Sequence, residues 1–302
     1  MMPMTRSTAI PLARTVPQLS RRNGRVRPAS RIVPEEIPVA FSYGGSTHAV
    51  MMATPADFED FATGFSLTEG IITEPADIES IEAVETPEGY DLQIALRDAQ
   101  HEALVTRRRH MAGPVGCGLC GIESLEQAVR QTPSVAAARL SLTPGEIAQA
   151  VALLDTRQPL HAETRAVHGA GFYTPEEGLI AVREDVGRHN ALDKLAGAAA
   201  RQGYTGASGA VVVTSRVSVE MVQKTAILGS PFIIAISAPT ALAIRTAETA
   251  GMTLVALVRG DEFEVFTHAD RIVAETTHSG ISHSEATPPE TIRPTKRTSH
   301  VA

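Results

Sequence analysis

Residues 179–190 read Leu-Ile-Ala-Val-Arg-Glu-Asp-Val-Gly-Arg-His-Asn. A short apolar run ends at Arg183-Glu184-Asp185, passes Gly187, and opens into an Ala- and Leu-rich stretch that ends at Arg201. That order predicts a strand over 179–183, a loop over 185–189 and a helix over 190–201. The same pattern recurs downstream. An apolar run at 210–214 leads through Ser215-Arg216 into a helical stretch at 218–228, and one at 232–237 leads through Ala238-Pro239 into 240–250. A last run at 253–258 turns at Arg259-Gly260-Asp261 into 262–267. Strands this short, β-branched and apolar on both faces belong in a sheet covered by helices on both sides. Their alternation with helices predicts an α/β domain with a mostly parallel, doubly wound sheet. The final two strands are close enough to pair as an antiparallel hairpin at its edge.

The half before this domain has a different pattern. Two strands are expected at 37–43 and 48–53 around Gly44-Gly45, and two more at 78–84 and 90–96 around Pro87-Glu88-Gly89. Between these pairs Thr54 and Pro55 make an N-cap and a first helical position, with Phe58, Phe61, Ala62 and Phe65 on the apolar face of a helix ending near Gly70. Thr143, Pro144 and Glu146 form a capping box for a helix over 143–154. Residues 111–121 hold four glycines and a proline, which forbids regular structure there, and a short helix is expected over 122–131. The expected organisation is a smaller N-terminal α+β region at 31–135, which carries the 111–121 loop, and an α/β cofactor-binding domain at 136–275. Disordered tails are expected at 1–30 and 276–302.

The net charge of −7 conceals a division. Residues 1–34 contain seven arginines and no acid, leaving 20 basic against 34 acidic residues beyond them, a net −14. The basic leader has no apolar core of a secretory signal and reads as a disordered tail. No apolar run approaches the ~18 residues of a membrane span. Aromatics are 4% and tryptophan is absent, which disfavours a stacking platform for single-stranded nucleic acid. The expectation is a protein without membrane or nucleic-acid partners. Only two cysteines occur, Cys117 and Cys120, so a disulfide scaffold and a four-cysteine zinc site are both excluded.

In open α/β sheets ligands bind beyond the carboxyl ends of the strands. The loops expected there supply Asp185, Gly187, Arg188, His189, Asn190, Ser215, Arg216, Ser218 and Arg259. Each helix start offers free N–H groups, and the arginines add bidentate donors, so the edge suits an anionic, pyrophosphate-bearing ligand. Taken singly, each residue has an ordinary structural reading: Gly187 for a positive φ, Asn190 as a cap, His189 as a core histidine. No Gly-x-Gly-x-x-Gly or Walker A sequence is present. The Cys117-Gly-Leu-Cys120 pair can bind a metal, cycle through a disulfide or carry a sulfane sulfur. Zinc-dependent deaminases place His-x-Glu before Pro-Cys-x-x-Cys. Here His161-Ala-Glu163 follows the cysteines, and Pro114 is two residues too far from Cys117. A thioredoxin-like pair would sit between a strand and a helix, in a loop less rich in glycine. No permanent metal is expected.

The stretches Gly116-Cys-Gly-Leu-Cys-Gly121, Glu184-Asp-Val-Gly-Arg-His-Asn-Ala-Leu-Asp-Lys194 and Val219-Glu-Met-Val-Gln-Lys224 resemble the formate dehydrogenase accessory protein family, FdhD. So does the segment from Ala53 to Gly70, and the resemblance runs in order over about 31–270. It implies a cytoplasmic sulfurtransferase with a cytidine-deaminase-like, three-layer fold and a homodimeric assembly. Such proteins take sulfur from a cysteine desulfurase as a cysteine persulfide. They pass it to the molybdenum bis(molybdopterin guanine dinucleotide) cofactor before its insertion into formate dehydrogenase. The resemblance makes Cys117 and Cys120 catalytic, with Cys117 as the carrier, and assigns cofactor binding to Leu257, Val258, Arg259, Gly260, Asp261 and Glu262. Arg188, Arg216 and Arg259 would meet pyrophosphates, and Asp185 a guanine edge or ribose. Two positions depart from the family pattern: Thr214-Ser215-Arg216 replaces Ser-Gly-Arg, and Ala256-Leu257 replaces Gly-Phe. The alternative is a non-catalytic chaperone that binds the same cofactor without carrying sulfur.

Overall fold

The computed structural model describes residues 10–100, 102 and 132–274. Its elements, in chain order, begin with β1 (Ala13–Arg22), β2 (Arg25–Pro34), β3 (Ile37–Tyr43) and β4 (Ser46–Ala53). Then come α1 (Phe58–Thr68), β5 (Ile78–Glu85), β6 (Tyr90–Leu96), α2 (Pro144–Thr156) and α3 (Pro159–Thr164). The remainder is β7 (His168–Thr174), β8 (Gly178–Asp185), α4 (Arg188–Arg201), β9 (Ala210–Val213), α5 (Val219–Leu228), β10 (Phe232–Ala235), α6 (Ala241–Ala250), β11 (Thr253–Arg259) and β12 (Glu262–Thr267).

The strand and helix alternation read from residue 179 onward is present, but the sheet is not mostly parallel. Its order is β12-β11-β10-β9-β7-β8, with β9, β10 and β11 parallel and the other neighbours antiparallel. The reason is β7, a strand rich in small residues that sits between β8 and β9 and runs against both. Strands β8, β9, β10 and β11 therefore still point the same way. Their carboxyl ends share one edge, joined there by the start of β7. Along one face lie α4, α5 and α6, whose Leu192, Leu195, Met221, Val222 and Ala247 pack on Phe172, Val211, Ile233 and Leu254. The other face is covered by α2, with Ile147 and Leu154 against Val212, Ile234 and Val255. These are the three layers expected. Thr143 and Glu146 make the predicted capping box at the start of α2, with Glu146 N–H donating to Thr143 Oγ1 at 3.2 Å.

A second sheet, β4-β3-β6-β5, packs on α1 through Phe41, Leu92 and Ile94 against Phe61 and Phe65. Helix α1 is thus buried between this sheet and α4. The two helices approach so closely that a Cβ on Gly64 would lie 1.7 Å from the carbonyl oxygen of Asp193, and one on Gly197 1.9 Å from that of Asp60.

Two local expectations are corrected. Helix α1 does not begin at Thr54 and Pro55; its N-cap is Asp57, in the left-handed region at φ 56°. Thr54 is drawn away by α4 and the loop before it, which take its N–H, its carbonyl and its hydroxyl. And residues 13–34, expected to lie largely in a disordered basic tail, form an antiparallel hairpin, with β1 and β2 paired from Ala13↔Pro34 to Arg22↔Arg25. Asn23 and Gly24 turn it with φ of 50° and 74°, the positive pair that suits right-twisted hairpins. Among the described residues no helix is long and apolar enough to cross a membrane.

Candidate functional site at the carboxyl edge of the sheet

Asp185 ends β8 and is wholly buried. Its Oδ2 pairs with Lys194 Nζ at 2.7 Å and accepts from Thr54 N–H at 3.0 Å. Its Oδ1 accepts from Gly187 N–H at 2.8 Å and from Asn190 Nδ2 at 2.9 Å. Asn190 gives its second hydrogen to the Met52 carbonyl at 2.8 Å, and Lys194 donates to the Thr54 carbonyl at 2.9 Å. Lys194 also stands 5.2 Å from the centre of the Phe61 ring. An ion pair out of water survives only when its remaining donors and acceptors are matched. Here they are, and the matching groups come from both halves of the chain. Asp185 and Asn190 hold the β8–α4 loop to the end of β4, and the Asp185 carboxylate has no oxygen left for a ligand. Gly187 has φ −96°, so the expected positive φ is absent. Glycine is needed because a Cβ would fall 2.7 Å from Asn190 Nδ2.

A second buried pair lies one position earlier in α4. Lys224 Nζ reaches both Asp193 oxygens (2.9 and 3.0 Å), Thr68 Oγ1 (3.0 Å) and Glu69 Oε1 (3.0 Å). The charges of Asp193 and Glu69 outweigh burial and push the Lys224 pKa up, so it stays cationic. The conspicuous 184–194 stretch thus has two functions: Asp185, Asn190, Asp193 and Lys194 lock α4 in place, while Arg188 and His189 are left half-exposed at the edge.

Arginines and helix starts face outward there. Arg188 Nε is buried and has no hydrogen-bond partner among the described residues. Neither α4 nor α5 has a side-chain cap at its start, whereas α6 does, Thr240 Oγ1 accepting from Ala243 N–H at 3.2 Å. His189 Nε2 lies 2.8 Å from Glu220 Oε2 and 3.5 Å from Ser218 Oγ, which ties the starts of α4 and α5 together. The bond from His189 holds the Glu220 carboxyl below the usual range. His168, opposite Asp185 in the β7–β8 ladder, has its pKa lowered by burial and then by the charge of Arg188, with smaller contributions from His161 and His189. Neither His168 nor Glu220 stood among the expected site residues. Glu220, in the first turn of the helix after β9, carries a usable sequence signal; His168 does not, because Gly169 and Gly171 dilute the strand pattern of β7.

The remaining expected residues fall along the same edge. Ser215 is buried, with Oγ on the Arg216 carbonyl at 3.1 Å, and its φ is not positive, so serine in place of glycine imposes no strain. Arg216 is exposed beyond β9. The loops after β9 and β10 are joined by a bridge, Val217↔Pro239. Arg259 is exposed and donates through Nη1 to the Ile236 and Val258 carbonyls at 2.6 and 2.7 Å. Leu257 stands at an irregularity in the β11–β12 pairing with φ 58°, a conformation costly for a branched side chain. Val258 is buried, while Gly260, Asp261 and Glu262 are exposed at the turn into β12. The structure therefore gathers Arg188, His189, Ser215, Arg216 and 257–262 along one edge, and withdraws Asp185 and Asn190 into the lock beneath it. Cys117, Cys120 and the helix expected over 122–131 lie outside the described residues. Among the described residues no cluster of metal-ligating side chains occurs.

Residues 34–273 match the model of the FdhD/NarQ family. The sulfur carrier protein FdhD of Agrobacterium fabrum is 65% identical over 260 residues, covering 86% of this chain and 96% of that protein. The sulfur carrier protein FdhD of Brucella abortus is 57% identical over 262 residues, covering 87% and 97%. A crystal structure from Desulfotalea psychrophila, of a protein assigned as a formate dehydrogenase accessory protein, superposes with a TM-score of 0.69 at 26% identity, covering 87% of this chain and all of that one. With most of its length matched by the family model and by relatives of this identity, the chain belongs to the FdhD/NarQ family.

Proposed function

We propose that this chain is a sulfur carrier protein serving formate dehydrogenase, a sulfurtransferase that moves sulfane sulfur through Cys117 and Cys120 to a molybdenum bis(molybdopterin guanine dinucleotide) held at the carboxyl edge. The observation that carries the ligand half of this reading is an edge that presents arginine and helix-start donors. Arg188 Nε is buried and unpartnered among the described residues, and the starts of α4 and α5 lack side-chain caps. Pyrophosphates supply the acceptors such groups need. The same edge gives the cofactor's nucleotide arms Arg216, the free nitrogens of Arg259, and the strained Leu257-to-Glu262 turn. Asp185, committed to Lys194, Thr54, Gly187 and Asn190, positions Arg188 and His189 and makes no contact with the guanine.

The sulfur half rests on the paired thiols and on the relatives' names. A Cys117 thiolate attacks the outer sulfur of a cysteine desulfurase persulfide. One S–S bond forms as another breaks, the desulfurase leaves as thiolate, and Cys117 becomes the persulfide; the exchange is redox-neutral. Attack of the Cys120 thiolate on the inner sulfur of that persulfide then forms the Cys117–Cys120 disulfide and releases the outer sulfur as hydrosulfide to the acceptor, and a cellular thiol reductant restores the two thiols. The work takes place in the cytoplasm, where thiols stay reduced. The test is formate dehydrogenase activity in cells lacking the endogenous carrier. Cys117→Ala is expected to abolish rescue, and Arg188→Met to lower it while leaving persulfide loading of the cysteines intact. Full rescue by a variant lacking both cysteines would contradict the relay and favour a non-catalytic cofactor chaperone.

A further inference from the structure

Strand β8 is the last in its sheet, and among the described residues no strand pairs with its outer side. The ladder fixes which groups point outward. Gly169 gives its carbonyl to Thr214 N–H, beyond β9, at 3.1 Å, so the next residue, Ala170, turns its backbone groups to its β8 partner Arg183. Val182 and Glu184, on either side of Arg183, therefore present theirs to the outside. The Val182 carbonyl there accepts from Arg183 Nη1 at 2.7 Å. The irregularity in the β7–β8 pairing lies at Phe172/Tyr173, so the strand is regular from Val182 to Glu184.

This edge opens on a cleft of about 640 Å³. The β8 residues Ile180, Ala181, Val182, Arg183 and Glu184 line it along about 17 Å of strand. Leu12 and Ala13 line it from the root of the β1–β2 hairpin, Leu160 and Glu163 from α3, and Asp57 from the start of α1. A free strand edge in an open sheet is a template for another chain, and here the template lies along a slot long enough for an extended segment.

The charged groups in the slot are Asp57, Arg157, Glu163, Arg183 and Glu184. Both arginines are engaged: Arg183 donates through Nε to Asp60 Oδ2 at 2.9 Å, and Arg157 donates to the Leu179 carbonyl. Asp57 and Glu163 are exposed. Glu184 is half-buried and accepts from Leu160 N–H at 2.9 Å and His161 N–H at 2.7 Å. Burial pushes its pKa up in spite of those two bonds, and the charge of Asp57 adds to the rise. A cation beside Glu184 relieves both effects.

We propose that the outer edge of β8 is a docking slot for an extended segment of a partner protein, which adds as a further strand at Val182 and Glu184 and sets a lysine or arginine opposite Glu184. Residues opposite each other in a ladder share a face, and opposite charges there stabilise the pair. Main-chain bonds supply the affinity of such an added strand and alternate side chains its specificity. The slot ends one residue before Asp185, so its occupant lies beside the loop that carries Arg188 and His189. The proposal is independent of the sulfur relay: loss of one leaves the other standing.

The test is selection of a random heptapeptide library on the immobilised full chain, followed by affinity measurement of the recovered peptides by fluorescence anisotropy. The expected peptides alternate along their length and carry lysine or arginine. Replacing that residue by glutamate, or Glu163→Lys in the protein, is expected to weaken binding about fivefold or more. N-methylation tests the strand itself without altering the protein. Methylating one alternate set of peptide amides removes the bonds to β8 and is expected to weaken binding more than about tenfold, while the other set has little effect. Failure to enrich any peptide, recovery of acidic peptides, or equal sensitivity to the two methylated sets would overturn the proposal. So would peptides that bind only after removal of residues 1–9, which would make the chain's own start the occupant, or peptides that bind only by dissociating self-associated chains, which would make it a second copy. Unchanged circular dichroism of Glu163→Lys shows that this exposed substitution leaves the fold intact.

Discussion

Asp185 and His168 face each other across the β7–β8 ladder and show how burial decides a residue's role. Asp185 is matched by Lys194 and three N–H donors, so its function is to hold the loop that presents Arg188 and His189. For His168, burial and then the nearby Arg188 favour the neutral form and lower the pKa, outweighing the charge of Asp185, which favours the imidazolium. A folded-state value below the unfolded one gives stability that is fully present above the ordinary imidazole value of about 6.5 and lost as pH falls through the lowered value. We therefore expect the melting temperature to drop between neutral pH and about pH 5, and His168→Asn to flatten that drop. The Glu220–His189 pair acts in a lower window, since the Glu220 carboxyl is held below its usual range, so the two effects separate in a pH series of thermal melts. An acid limb identical in parent and variant would show that His168 does not titrate as described. None of this is legible from residue types. The sequence marks Asp185 and His189 as edge residues, but only the buried partners reveal that one is spent on the scaffold.

At the scale of elements, the critical contact is α1 against α4, where Gly64 and Gly197 bring two backbones together. A methyl group at 197 meets the Asp60 carbonyl at 1.9 Å, and backbone cannot swing aside as a side chain can. Gly197→Ala should cost about 1–3 kcal/mol by forcing the helices apart. Urea unfolding measures it, and an unchanged midpoint would contradict the packing described. The same contact explains why α1 carries Phe61 and Phe65 on one side and small residues on the other. The strands β9, β10 and β11 were legible because they are unbroken β-branched runs bounded by turn residues, and α2 because of its capping box. Strand β7 was not, because Gly169, Ala170 and Gly171 dilute the pattern, and its insertion changes the sheet from mostly parallel to mixed. The β1–β2 hairpin escaped for another reason: prolines and dense arginine look like disorder, and only the pairing with a positive-φ Asn-Gly turn shows order.

Over the whole molecule, the direction of the strands matters more than their pairing. Four strands deliver their carboxyl ends to one edge even though β7 runs against its neighbours, so the loops expected to share an edge still do in a mixed sheet. The arginine-bearing edge sits on a body that is acidic overall, so the anionic ligand proposed for it would be held by local geometry and not by net charge. In the proposed function the two thiols carry the sulfur. The most direct measurement is intact and peptide mass spectrometry of the full chain after incubation with a cysteine desulfurase and cysteine. The account predicts a gain of about 32 Da, one sulfur atom, on the peptide carrying Cys117 and Cys120, removed by a reducing agent and absent from Cys117→Ala. A parent chain that gains no sulfur while the desulfurase turns over would contradict it.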